Sequence, residues 1–258
     1  MIYFFNKYNS TGNDFIIVDN RERSFNFNHS YIKKICDRKF GIGADGFILL
    51  ENSLVADYFV NYYNSDGFPS SFCGNGSLCS THFAYTKGII NGAGLFETRE
   101  GVFECKIDKT NASISLIDVD DFDVDSDKII LNTGSPHYVV FCDRLNMLNV
   151  NKIGKEIRFR NEFSPKGINV TFVEKNKDYL FIRTFERGVD AETLSCGTGA
   201  VAAVLSAWIR KYIDIQSLRV KTNGGILNVS FDVQNDKFTN IYLSSHIEQV
   251  FEGKITKS

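Results

Sequence analysis

Short apolar runs that alternate with polar positions recur along the chain, and they predict a protein built mostly of strands. Residues 1–8 read as a first strand, and the run Phe15-Ile16-Ile17-Val18 follows a turn at Thr11-Gly12. Alternation predicts further strands over 47–50, 58–62, 101–107 and 112–117, and again over 170–173, 179–185, 226–231 and 239–243. Helical spacing is confined to three places. One is 29–38, with Asn28 or Ser30 as its cap. The other two, 77–86 and 200–212, each follow a Cys-Gly-x-Gly sequence. The second of these begins with a segment apolar nearly all round, so its helix is expected to be central and buried.

The landmarks occur twice in the same order. Thr11-Gly12-Asn13 before an apolar run matches Thr133-Gly134-Ser135 before Tyr138-Val139-Val140-Phe141, at an offset of 122 residues. Asp57-Tyr58 and Asp178-Tyr179 each open a strand, at an offset of 121. Cys73-Gly74-Asn75-Gly76 and Cys196-Gly197-Thr198-Gly199 are 123 apart, and Thr98-Arg99-Glu100-Gly101 matches Thr222-Asn223-Gly224-Gly225 at 124. Offsets drifting by so little predict two homologous halves. The acidic stretch 118–127 lies between them and is a candidate linker or solvated loop.

Composition narrows the class. The 258 residues allow one large domain or two smaller ones, each able to bury its own core. Hydrophobic content of 43% and charged content of 23% are ordinary for a globular protein, and a net charge of −2 provides no basic field for nucleic acid. No apolar run approaches the roughly 20 residues that cross a bilayer, and the N-terminus does not read as a signal peptide. A cytoplasmic location with reduced thiols is expected. Of the six cysteines, Cys36, Cys79, Cys105 and Cys142 read as buried apolar residues.

Cys73 and Cys196 stand apart. A Cys just before a helix and followed by glycines lies beside N–H groups of the first turn, which can hold a carboxylate. Glycine lets that backbone approach a ligand or adopt positive φ. The helix dipole favours the thiolate. Two matched thiols facing opposite sides of one carbon would suit inversion of a stereocentre: one removes the α-proton and the other returns a proton to the opposite face. Other readings remain open here. A single Cys-Gly-x-Gly is more often a turn with a buried Cys. A metal site at Cys73, Cys79 and His82 is poorly supported, because Ala202 takes the place of Cys79 in the second half and no CxxC or HxxxH pair occurs. No metal is expected. A redox disulfide between Cys73 and Cys196 is a further alternative.

At these residues the chain resembles the diaminopimelate epimerase family, cofactor-independent enzymes of bacterial lysine and cell-wall biosynthesis. The resemblance is carried in order by Gly12-Asn13-Asp14-Phe15, Gly41-Ile42-Gly43-Ala44-Asp45-Gly46, Asn64-Ser65-Asp66-Gly67 and Cys73-Gly74-Asn75-Gly76. It continues through Gly134-Ser135-Pro136-His137, Gly167-Ile168-Asn169-Val170, Glu186-Arg187-Gly188 and Glu192-Thr193-Leu194-Ser195-Cys196-Gly197-Thr198-Gly199. It implies that Cys73 and Cys196 are acid/base thiols assisted by His137 and Glu186. It further implies that the N–H groups of Gly74, Asn75, Gly197 and Thr198 hold the reacting carboxylate, while Asn13, Asn64, Asn169 and Arg187 bind the rest of an amino-acid substrate. Asn13 and Asn64 could instead stabilise turns, His137 could be a loop histidine, and Glu186-Arg187 a surface pair. Ser135 stands where many members carry asparagine, and Val189-Asp190-Ala191 makes a slightly longer loop.

The implied fold is α+β: two pseudo-symmetric domains, 1–118 and 119–245, each a curled, mostly antiparallel sheet around a central helix, with the tail 246–258 returning to the first. The active site is expected in the cleft between them. The implied reaction interconverts LL- and meso-diaminopimelate with no cofactor. A homodimer is a family expectation, with no nucleic-acid or membrane partner. Alternatives are a cofactor-independent racemase of proline, hydroxyproline or histidine, a non-racemising isomerase of the phenazine-biosynthesis type, and, more remotely, a redox-regulated binding protein.

Overall fold

The computed structural model describes residues 2–25, 28–70, 72–235 and 237–256; Met1 and the last two residues of the tail lie outside them. Contacts divide the chain into two compact units. The first runs to Ile114 and resumes at Ser245; the second is Ser115–Ser244.

The first unit opens with β1 (Ile2–Ser10) and β2 (Asn13–Asp19), an antiparallel hairpin turned at Thr11 and Gly12, both at positive φ. Then follow α1 (His29–Cys36), β3 (Gly46–Glu51), β4 (Tyr58–Asn64), α2 (Gly74–Thr86), β5 (Ala93–Thr98), β6 (Gly101–Asp108) and β7 (Asn111–Ser115). β2 and β3 pair in parallel, β3 and β4 antiparallel, β4 and β5 in parallel, and β5–β6–β7 form an antiparallel meander.

In the second unit come β8 (Phe122–Val124), β9 (Ile129–Asn132), β10 (Pro136–Phe141), α3 (Val150–Arg158), β11 (Asn169–Lys175) and β12 (Tyr179–Glu186). They are followed by β13 (Ala191–Thr193), α4 (Gly197–Ile209), β14 (Ser217–Lys221), β15 (Ile226–Gln234) and β16 (Lys237–His246). The pairing repeats that of the first unit: β10 and β11 in parallel, β11 and β12 antiparallel, β12 and β14 in parallel, β14 and β15 antiparallel. β17 (Glu248–Thr256) then pairs antiparallel with β1.

Each sheet is covered on both faces, which is why successive residues of β3 and β11 are buried. α1 closes one face of the first sheet over Ile16, Val18, Phe47 and Leu49, using Ile32 and Ile35. α3 does the same in the second, setting Val150 and Ile157 against Val170, Phe172 and Phe185. The opposite faces curl around α2 and α4, buried over Gly74–Ala84 and Gly197–Ala207 respectively. Neither unit needs its central helix to be amphipathic, because strands surround it.

The structure departs from the sequence reading at several points. α2 and α4 begin three residues earlier than the apolar pattern indicates, at Gly74 and Gly197. Gly74, Gly76, Gly197 and Gly199 therefore lie in first helical turns and are not at positive φ. At Gly199 the missing Cβ serves packing: a Cβ there would press on the Thr184 and Thr171 hydroxyls at 3.0 and 3.1 Å. The 118–127 stretch is not a bare connector, since Val119 bridges to Phe238 and β8 pairs with β9. α3 has no counterpart in the sequence reading. Cys36, Cys79 and Cys105 are buried as expected, whereas Cys142 is only half-buried.

Candidate active site

Both Cys-Gly-x-Gly sequences place their cysteine at the N-cap of the buried helix, in extended conformation: Cys73 at φ −123°, ψ 110° and Cys196 at φ −129°, ψ 113°. The first-turn N–H groups of Gly74 and Asn75, and of Gly197 and Thr198, have no partner within their own helix, because a helix start never supplies one. Each unit thus presents a sulfur beside outward-pointing donors at a positive helix end.

In the first unit, Cys73 Sγ accepts the Gly76 N–H at 3.4 Å. Asn13 Oδ1 lies 3.9 Å from the sulfur and accepts from Asn75 Nδ2 at 3.5 Å. The Asn13 amide is oriented from behind, its Nδ2 donating to Asp45 Oδ2 at 2.8 Å. Arg38 bridges Asp45 and Asp14 at 2.8 and 2.7 Å, and the buried Lys7 ammonium reaches Asp14 at 2.6 Å. Burial alone would raise the Asp14 carboxyl; hydrogen bonds from Arg38 and Lys7 outweigh it and hold the group well below the usual carboxylate range. A small cavity beside Cys73 is lined by Ile48, Tyr62, Gly76, Thr98 and Arg99. Asn64 lies exposed at the end of β4. There its N–H donates to Phe68 O at 3.0 Å and its carbonyl accepts from Gly67 N at 2.9 Å, closing a turn.

The second unit is wired differently. His137, fully buried on β10, faces Thr198 Oγ1 at 2.9 Å through Nε2 and Thr171 Oγ1 at 2.9 Å through Nδ1. Thr198 Oγ1 lies 3.6 Å from Cys196 Sγ. Asn169, opposite His137 in the β10–β11 ladder, accepts the Arg187 N–H on Oδ1 at 2.9 Å and donates from Nδ2 to Ser135 Oγ at 2.8 Å. Burial pushes His137 down to about 3, and the Arg187 charge adds to that shift, so the ring is neutral. Glu186 Oε1 accepts the Thr193 hydroxyl at 2.5 Å. Arg187 is lowered by burial and then by the nearby Arg158, whose Nε pairs with Asp190 at 3.2 Å. The Val189–Ala191 loop thus carries a partner for a neighbouring cation.

The structure brings Cys73, Asn13 and Asn75 together in one unit, and Cys196, Thr198, His137 and Asn169 in the other. The Thr198 hydroxyl, Thr171, Thr184 and the Lys7–Asp14–Arg38–Asp45 network carried no role in the sequence reading. Asp45 had a signal, its place in the glycine-rich 41–46 motif. Thr171 and Thr184 had only strand alternation, which marks a face and not a partner. Burial pushes Cys36 up to about 12 and raises Cys79, Cys105 and Cys142, favouring their neutral forms. Among the described residues, no cluster of three or more His, Cys, Asp or Glu could hold a metal ion, and no helix is long and apolar enough to cross a membrane.

A family model described as diaminopimelate epimerase matches residues 5–121 and again 129–245. The chain is 42% identical over 252 residues to the diaminopimelate epimerase of Flavobacterium psychrophilum, covering 96% of this chain and 98% of that one. It is 40% identical over 258 residues to the diaminopimelate epimerase of Chlorobaculum tepidum, covering 95% and 98%. Among solved structures, it resembles a PhzF-family phenazine biosynthesis protein from Bacillus anthracis at a TM-score of 0.73 and 17% identity, covering 100% of both chains. A hydroxyproline epimerase from Agrobacterium vitis gives a TM-score of 0.73 at 13% identity, covering 98% of this chain and 92% of that one. At such identities these two likenesses concern the fold alone.

Proposed function

The chain belongs to the diaminopimelate epimerase family, and on that premise we propose that Cys73 and Cys196 are the two acid/base groups of its reaction. The protein is an isomerase that interconverts LL- and meso-diaminopimelate, in lysine and peptidoglycan-precursor biosynthesis. The racemases of proline type and the PhzF-type proteins share its fold at 17% identity or less and are not the favoured reading. We assign the reaction to the cytoplasm, where thiols remain reduced.

The observation that carries the residue assignment is the pair of equivalent N-cap cysteines. One thiolate takes the α-proton, the carbanion is held next to its carboxylate, and the other thiol delivers a proton to the opposite face. Protons balance: the thiolate becomes a thiol and the thiol a thiolate. The N–H groups of Gly74, Asn75, Gly197 and Thr198 receive the α-carboxylate, whose charge grows as the proton leaves. Asn13, Asn64, Asn169 and Arg187 bind the remainder, including the distal carboxylate, which an Arg can clamp with two hydrogen bonds. His137 and Glu186 assist by polarising their neighbours. Magnitude limits what His137 can do. Moving a proton from an ordinary thiol near 8.5 to a ring near 3 is uphill by about 7 kcal/mol, so His137 serves as a neutral hydrogen-bond acceptor.

Incubation with LL-diaminopimelate in deuterated water, under reducing conditions and without pyridoxal phosphate, should yield meso product carrying deuterium at the inverted carbon. Absence of both product and label would overturn the reading.

A further inference from the structure

Asn169 and Arg187, both assigned above to the far end of the substrate, sit on different segments of the second unit, and Arg158 touches both segments. Resting on that assignment of Arg187, we infer that Arg158 is a positioning residue for the same reaction. It holds the turn that carries Arg187 against the segment that carries Asn169, and so sets the affinity for the substrate's distal carboxylate.

Arg158 is the last residue of α3, and its side chain is only 12% exposed. On one side the guanidinium lies on the Gly167 backbone, where a Cβ would overlap Nη1 and Cζ. Gly167 stands at φ +67°, a conformation that itself favours glycine, so the place the guanidinium fills is kept open. Asn169, two residues on, begins β11. On another side Arg158 Nε lies 3.2 Å from Asp190 Oδ1. Asp190 closes the turn after β12, its N–H donating to Glu186 O at 2.8 Å. Arg187 opens that turn, and its own N–H donates to Asn169 Oδ1 at 2.9 Å. The two segments are thus joined twice: once by the Asn169–Arg187 hydrogen bond, and once by a guanidinium set between Gly167 and Asp190. The Phe159 ring, 4.9 Å from the guanidinium carbon, supports it from α3's own end.

The contact with Asp190 is a charge pair and not a directional bond, because the buried Arg158 Nε makes no hydrogen bond. The Arg158 charge also acts on Arg187. Burial, and then Arg158, lower Arg187 from its usual range, so the two guanidinium groups repel. A carboxylate bound at Arg187 offsets that repulsion, whereas an ammonium or an uncharged end group does not. Arg158 therefore favours a second carboxylate through Arg187 in two ways. It fixes the turn, and it makes the Arg187 charge costly to leave unpaired.

Steady-state kinetics with LL-diaminopimelate on the full-length protein test this. Arg158→Gln should raise KM about tenfold while kcat stays within about threefold of wild type, the pattern of lost binding and not of lost proton transfer. Arg158→Lys keeps the charge, and since the contact is not directional it should hold KM within about threefold of wild type. In an Arg187→Gln background, Arg158→Gln should change KM little further, because its partner is gone. A wild-type KM in Arg158→Gln, a fall in kcat at unchanged KM, no rescue by Lys, or additive effects with Arg187→Gln would each overturn the role of Arg158. A purely structural residue would lower the thermal midpoint without separating KM from kcat. If Arg187→Gln raises KM and Arg158→Gln does not, only Arg158 loses its role. If Arg187→Gln itself leaves KM unchanged, the assignment of Arg187 to the distal carboxylate fails first.

Discussion

The first half surrounds its cysteine with charges, and the second surrounds its cysteine with neutral hydrogen-bonding groups. On the Cys73 side stand Lys7, Asp14, Arg38 and Asp45, joined by ion pairs of 2.6 to 2.8 Å and linked to the Asn13 amide through Asp45. Around Cys196 stand Thr198, His137, Thr171 and Thr184, a chain of hydroxyls and one imidazole buried in the sheet. The backbone device is the same in both: an N-cap Cys, glycines in the first turn, and a buried helix. The lesson is that duplication preserved the helix start that carries each cysteine, while the residues behind it diverged from a charged network to a neutral one.

The sharpest way to break the comparison is to remove each sulfur. Cys73→Ala and Cys196→Ala should each reduce epimerisation by about a thousandfold or more, in line with loss of an essential proton-transfer group. Steady-state assays in both directions check this. If either variant turned over within tenfold of wild type, the halves would not be partners in one reaction.

Acid should next separate the halves by stability. His137 titrates near 6.5 in the unfolded chain and near 3 in the folded one, because burial and then Arg187 disfavour its charge. Its folded value is depressed, so the stability it contributes is fully present above about pH 6.5 and is lost as pH falls toward 3. Acidification from pH 7 to 4 should cost the second unit about 3 kcal/mol. Asp14 is also depressed, but its contribution stays intact down to the ordinary carboxylate range and is lost only below it. His82, lowered by burial and then by His246, adds a smaller term of the same sign to the first unit. Hydrogen exchange read by mass spectrometry between pH 7 and 4 should therefore show protection falling earlier in 115–244. Parallel loss in both units would contradict the contrast.

A smaller effect should come from Gly154. In the repeat it corresponds to Ile32 of α1, which fills the first unit's outer core. α3 instead lies so close to β12 that a Cβ on Gly154 would overlap the Phe185 side chain. Gly154→Ala should cost about 1–3 kcal/mol through overpacking, measured from urea midpoints. A neutral result would mean that α3 can move off its sheet.

Much of this architecture was legible in the sequence. The apolar alternation marked β3, β4, β6, β11, β12 and β15, and the all-apolar stretch marked α4 as buried. Helix starts were misplaced because a glycine in a helix is unfavourable by about 1 kcal/mol relative to Ala; the pattern moved both starts past Gly76 and Gly199, where packing against the sheet overrides propensity. α3 was hidden because Gly154 interrupts the stripe of Val150, Ile153 and Ile157. Of the site, the residue types at Cys73, Cys196, Asn13, Asn169 and His137 were readable from motifs. The Thr198–His137–Thr171 chain was not, because its members come from α4, β10 and β11 and meet only through sheet register.

The repeat itself contained the missing helix, and this gives the finest comparison. Shifting α1 by 122 residues lands on 151–158, inside α3. The caps shift with it: Asn28 accepts from Tyr31 N at 3.1 Å, and Asn149, 121 residues on, accepts from Lys152 N at 3.1 Å. Both helices lack an acidic residue in the first turn, so each relies on its asparagine for the otherwise unpaired N–H groups. Asn28→Ala and Asn149→Ala should therefore cost about the same, ~1 kcal/mol each, and replacement by Gly only a few tenths. Denaturant midpoints of the two variants test the equivalence. A cost confined to one of them would show that the halves have diverged in local helix energetics as well as in the chemistry around their cysteines.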